Sequence, residues 1–156
     1  MLERYRQVAL DWGTGLLYCD FRDRNGEEVT DHSLIDYQPG SLRDTFDFGS
    51  ILFLSIAHLR QALDRHGEVP HSLKWGAIYD LRLKLSIDAP ILRLPEPLYT
   101  RSTIDRRTSG EKLFDYVDPR HRDYQIEMEG IVTAHLRRIG AWLEPVFQTE
   151  IGRAHV

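Results

Sequence analysis

The run Leu16-Leu17-Tyr18-Cys19-Asp20-Phe21 constrains the fold more than any other part of this chain. It is nearly continuous in apolar residues and of strand length. Gly13 and Gly15 set it off from what precedes, so it reads as a buried strand. A buried strand needs cover, and the rest of the sequence offers it as helices. Met1 to Asp11 carries Leu2, Tyr5, Val8 and Ala9 at helical spacing. Ser55 can cap a helix from Ile56 to His66, with Ile56, Leu59 and Leu63 inward and Gly67 as the stop. Trp75 to Ile87 is a further helix, and its stripe Ile78, Leu81, Leu85 is expected to face a core. Asp118-Pro119 pairs an N-cap with a first-turn proline and opens the longest helix, Pro119 to Ile139, which ends at Gly140. Its stripe is Tyr124, Met128, Ile131, Val132, His135 and Ile139.

Between these helices lie extended segments. Ile51 to Leu54 is a second strand, and Leu34-Ile35 is a candidate edge strand within the polar stretch Arg22 to Gly40. Asn25-Gly26 is the sharpest turn signal there. Prolines 90, 95 and 97 forbid a helix and hold Pro90 to Leu98 extended. Strands alternating with helices favour an α/β layer architecture. Strands are few, however, and the first helix has no upstream element to pack on, so the pattern reads as a fold entered midway.

The 156 residues suit one domain, with 42% hydrophobic and 28% charged residues, ordinary for a soluble globular chain. The net charge of −4 gives no basic excess to steer the chain to nucleic acid. Cys19 is the sole cysteine, so no internal disulfide can form, and its apolar setting reads as a buried, inert thiol. No stretch approaches the roughly 20 apolar residues of a membrane span. Met1-Leu2-Glu3-Arg4 does not open a signal peptide. A cytoplasmic location is expected. The final residues, 150–156, continue no pattern. They match the translation of GAG ATC GGA AGA GCA CAC GTC, the start of a common sequencing adapter, and are expected to be a non-native tail. The expected domain is therefore 1–149.

Several chemistries find no support. The seven histidines form no His-x-x-x-His pair, no cysteine cluster suits zinc, and there is no Asp-x-Asp. Neither a Gly-x-Ser-x-Gly elbow nor a P-loop is present. Three carboxylate or cationic segments remain. Asp80 falls roughly opposite the stripe Ile78/Leu81/Leu85, at about 100° per residue, between Gly76 and Lys84. A carboxylate there can face a cleft from a rigid helix, as a general base needs, with Trp75 and Tyr79 near enough to stack on a sugar. The alternative is a solvated helix face with an Asp–Lys (i, i+4) pair, which composition alone favours. Arg43 to Gly49 places Asp44 and Asp47 beside Phe46 and Phe48. That mixture suits carbohydrate, or equally a turn with core phenylalanines. Arg101 to Lys112, with Arg106, Arg107 and Ser109-Gly110, could close on a diphosphate or be an ordinary surface loop.

Taken in order, Leu16-Leu17-Tyr18-Cys19-Asp20-Phe21, Asp36 to Asp44, Phe46-Asp47-Phe48-Gly49, Tyr79-Asp80-Leu81-Arg82-Leu83, Leu94 to Tyr99 and Ser109 to Val117 resemble bacterial family-2 glycosyltransferases of the GT-A fold. The resemblance runs from about Met1 to Phe147, and its most specific part is Ser109 to Val117. It implies an α/β chain that is the C-terminal, acceptor-side half of a GT-A fold, an incomplete mixed sheet flanked by helices. The activity it implies is transfer of a sugar, with inversion, from a nucleotide-sugar donor to a glycan or other hydroxyl acceptor. Asp80 would be the catalytic base. Asp44, Asp47, Gly49, Trp75 and Gly76 would line the acceptor pocket, and Arg107 and Ser109 would close over the diphosphate. The family's divalent metal, Mg or Mn, is held by an Asp-x-Asp preceding the helix that matches Met1–Asp11, and that motif is absent here. The Gln-x-x-Arg-Trp signature of processive synthases is absent too, which implies single-sugar transfer. Two other expectations compete, a non-catalytic carbohydrate-binding module and a protein-interaction module built on the helix Pro119–Ile139.

Overall fold

The structure, a computed structural model, describes residues 1–102 and 122–144. Helix α1 spans Leu2–Trp12 and stops at Gly13, whose φ of 59° is a left-handed cap. Strand β1, Leu16–Cys19, follows at once and is buried at every residue. Its side chains alternate between two cores. Leu16 and Tyr18 join Phe21, Leu34, Tyr37 and Ile91 on one side. Leu17 and Cys19 pack against Tyr5 and Val8 of α1 and against Leu94 on the other. The continuous apolar run is thus a strand covered on both faces, and the Cys19 thiol is buried and free.

The run does not continue as one strand to Phe21. Asp20 breaks it, and β2, Phe21–Asn25, belongs to a second sheet. In the first sheet β1 lies between β4, Phe53–Leu54, antiparallel, and β5, Ile91–Leu94, parallel. In the second, β2 lies between β3, Glu28–His32, antiparallel, and β6, Thr100–Ser102, parallel. Asp20 is the joint. Its amide donates to the Leu94 carbonyl and its carbonyl accepts from Leu98 N, both at 3.2 Å. Its carboxylate takes Leu34 N at 3.0 Å and the Arg93 guanidinium at 2.8 and 3.0 Å. Across from it, Pro95 and Pro97 lie in the gap between β5 and β6, where a missing amide donor costs no ladder bond. The first part of the polar stretch is therefore a hairpin, β2 and β3, turning at Asn25-Gly26 as its turn signal indicates. Leu34-Ile35 is no strand. Leu34 is buried by its side chain while Ile35 is exposed.

Helix α2 runs Ile56–His66 as the sequence indicated, but Ser55 makes no capping bond with its side chain, and its hydroxyl meets His58 Nδ1 at 2.9 Å. Ala62 is the buried residue, while Ile56 is exposed. Helix α3, Ala77–Asp88, packs against α2 and against α4, Arg122–Arg138. The expected stripe does not describe α3. Ile78 is 59% exposed, and Tyr79, Asp80, Arg82, Leu83, Lys84 and Leu85 are buried. Between α2 and α4 the middle of this helix is covered on more than one side, so its polar residues Asp80, Arg82 and Lys84 are buried with its apolar ones. On α4 the stripe holds at Met128, Ile131 and His135, while Ile139 is exposed. Residues 119–121, ahead of α4, lie outside the described residues. The chain is a mixed α/β protein with two small mixed sheets among the described residues. No helix among those residues is long and apolar enough to cross a membrane.

Candidate functional site

Two cavities flank the contact between α3 and α4. The first, of about 190 Å³, has aromatic walls: Phe46, Phe48, Trp75, Tyr79 and Tyr124, with Ile78 and Met128. Its polar groups are Asp44 and Arg82. Asp44 Oδ2 accepts the Tyr124 hydroxyl at 2.8 Å, and the carboxylate is otherwise exposed. The Tyr79 hydroxyl donates to the Leu42 carbonyl at 2.5 Å. Burial pushes both tyrosines up to about 12, so each remains a protonated donor at neutral pH. Trp75 is 51% exposed at the rim and meets the Tyr124 ring edge-on at 6.1 Å. A wider apolar groove of about 520 Å³ adjoins, sharing Asp44, Tyr79, Tyr124 and Met128.

Arg82 is the unusual member. It is 3% exposed, and none of its three guanidinium nitrogens makes a hydrogen bond of normal geometry among the described residues, although the Tyr79 hydroxyl is close enough to ease its burial. The rings of Tyr79, Phe48 and Tyr37 surround it at 4.7, 5.6 and 5.7 Å. Burial pushes the guanidinium below its usual range, yet an arginine stays charged.

The second cavity, of about 340 Å³, lies on the other side of α3 and is lined by His66, Glu68, Asp80, Lys84, Glu127 and Arg138 among others. Asp80 is 5% exposed. Its Oδ2 takes Lys84 Nζ at 2.6 Å, and Lys84, 2% exposed, also donates to the Glu68 carbonyl at 2.9 Å. The expected (i, i+4) pair is formed, but it is buried rather than solvated. Nor does Asp80 face the cleft that holds Trp75 and Tyr79. Asp80 borders a different cavity, because every residue of α3 from Tyr79 to Leu85 except Leu81 is buried.

The structure brings Asp44 and Trp75 together on one cavity and parts them from the other expected site residues that it describes. Asp47 Oδ1 accepts Gly49 N at 2.8 Å and so closes its own turn. Gly49 has a φ of 74°, and a Cβ there would fall 2.5 Å from the Tyr99 hydroxyl, which itself accepts Ser50 N. Both residues shape the loop and neither lines the aromatic cavity. Gly76 is buried where α3 meets α4, and a Cβ would collide with Ile131 and Met128. Arg107 and Ser109 lie outside the described residues. Arg101 lies within them and pairs with Asp23 at 2.8 Å, its guanidinium 4.5 Å from the Phe21 ring.

Sequence reasoning missed Glu127. Its carboxylate on α4 accepts the amides of Lys74, Trp75 and Gly76 at 2.9, 2.9 and 2.7 Å, capping the start of α3 from another element. Those bonds, led by the Lys74 amide, hold its carboxyl below the usual range. The signal available was an acidic residue one position before Met128 in the α4 stripe. Arg82 was missed too, although an arginine three residues after Tyr79 must share a helix face with it. Among the described residues no three His, Cys, Asp or Glu side chains come together as a metal site would require. The chain matches no family model, no curated protein and no solved structure.

Proposed function

We propose that this chain forms the acceptor side of an inverting sugar transferase of the GT-A type. The observation that carries this reading is the aromatic cavity with Asp44 at its mouth. Sugars offer apolar C–H faces to rings and hydroxyl donors to carboxylates, and this cavity presents both within one wall. Trp75 at the rim would stack on the acceptor ring, and Asp44 would accept its hydroxyl. The order of motifs from Leu16 to Val117 supports the same reading by resemblance.

A base must reach the hydroxyl it deprotonates, within about 2.6–3.2 Å or through one water. Asp44 is exposed and stands in the cavity. Asp80, the base implied by resemblance, is engaged by Lys84 and borders the other cavity. Geometry therefore favours Asp44 as the proton acceptor and Asp80 as the group that keeps Lys84 buried and α3 in place. The nucleotide-sugar donor and its Mg or Mn would be held by residues other than those described here.

The test is turnover of nucleotide sugars by the full reading frame that contains this chain, followed as release of nucleoside diphosphate. Asp44→Asn is expected to cut turnover by about 10²–10⁴-fold with little change in thermal midpoint. Near-full turnover in that variant would remove Asp44 as the base. Binding of sugar with no turnover of any nucleotide sugar would favour the non-catalytic carbohydrate-binding module instead.

A further inference from the structure

We infer that the aromatic cavity takes a ring bearing a carboxylate, and that Arg82 is the residue that selects it. The inference rests on the reading of this cavity as an acceptor site, and makes the acceptor an acidic sugar of the uronic acid type.

Several other arginines of this chain are paired with carboxylates. Arg93 grips Asp20 with two nitrogens and reaches Asp36 at 2.9 Å. Arg101 grips Asp23, Arg4 grips Glu96, and Arg22 meets Asp31. These guanidiniums are partly exposed and paired. Arg82 is the most deeply buried of them and has no carboxylate bonded to it. Leaving a buried charge unpaired is costly. Three surrounding rings offset part of that cost by cation–π attraction, but rings accept none of the in-plane N–H donors fully. Asp44 is the acid in the same cavity, and its Oδ2 is taken by Tyr124.

A guanidinium offers a planar fork that matches a carboxylate with two parallel bonds. The cavity's volume of about 190 Å³ lies below the roughly 300–1,000 Å³ of sites for drug-sized molecules, so it suits one small ring. The aromatic walls fit that ring and Arg82 fits its acid group. The guanidinium nitrogens are closed off from water, so the half-buried Phe46 or Phe48 must turn as the acid enters. A residue kept at a cost to stability, beside a cavity and without a carboxylate partner, is what a ligand-binding role leaves behind.

The experiment is calorimetric titration of the purified chain with glucuronate and with glucose, which differ at one carbon. Glucuronate is expected to bind roughly ten-fold or more tightly, as charge-assisted bonds to a buried arginine imply. Arg82→Met should abolish that preference and raise the thermal midpoint, because it removes an unpaired buried charge. Trp75→Ala, at the exposed rim, should weaken both sugars alike and leave their ratio unchanged, which keeps the test sound if the Arg82 variant folds poorly. Equal binding of the two sugars, or a preference that survives Arg82→Met, overturns the inference while leaving the cavity a sugar site. Absence of binding by either sugar overturns it as well, and the transferase reading is then judged separately by release of nucleoside diphosphate.

Discussion

At the scale of the residue, the two aspartates Asp44 and Asp80 separate function from support. Removing the charge at Asp80 leaves Lys84 buried with only the Glu68 carbonyl. Breaking a buried pair from one side costs about 3–5 kcal/mol. Asp80→Asn should therefore lower the urea midpoint strongly, whereas Asp44→Asn loses one exposed bond to Tyr124 and costs about 1 kcal/mol or less. Equal midpoints for the two variants would contradict the packing described for α3. His135 offers a pH test. It lies on the apolar stripe of α4 and is buried, but Nδ1 has no partner among the described residues. Burial first, then the nearby Arg138 and Arg82, push its pKa below the ordinary value. The unfolded histidine takes a proton near pH 6.5 while the folded one resists, so stability present above that pH is lost progressively as pH falls below it. His135→Leu should flatten the fall in urea midpoint between pH 7.5 and 5.5. The sequence pattern located both Asp80 and His135 on helices, yet whether a polar side chain on a helix meets solvent or a neighbour depends on elements far away in the chain.

At the scale of the element, the junction of α3 and α4 decides where the cavities lie. Gly76 lets the two helices approach, and Glu127 fastens the start of α3 to α4 through three amides. Gly76→Ala should cost about 1–3 kcal/mol by overpacking against Ile131 and Met128, measurable by thermal denaturation. A neutral result would mean the helices part easily. Helix α2 was legible to the residue because Ser55 and Gly67 bracket it, and α1 because Gly13 ends it. The face of α3 was not legible. Its apolar residues Ile78, Leu81 and Leu85 suggest a stripe, but burial on several sides leaves no single face for periodicity to report. The β2–β3 hairpin was missed for the opposite reason. Its strands, Phe21–Asn25 and Glu28–His32, are mostly polar and exposed, so only the Asn25-Gly26 turn marked them.

At the scale of the whole molecule, the chain crosses between its two sheets three times, at Asp20, over residues 33–52 and over residues 95–99, and Arg93 at the end of β5 bonds to Asp20 at the first crossing. Bonds from Arg93 hold the Asp20 carboxyl below its usual range, so the joint is firm above about pH 4 and weakens as acid protonates it. That scaffold sets Tyr37 and the loop of Phe46 and Phe48 against α3 and so walls the aromatic cavity. The α/β character was readable from the alternation of elements. The division into two sheets was not, because a single aspartate in an apolar run looks like an interruption and not like a change of sheet. The central claim is that the aromatic cavity receives a sugar ring. Saturation-transfer NMR of the chain with glucuronate tests it most directly. The account predicts transfer from the aromatic rings to the sugar's C–H protons, much reduced in Trp75→Ala. Transfer that is absent in the unsubstituted chain, or unchanged in that variant, would contradict it.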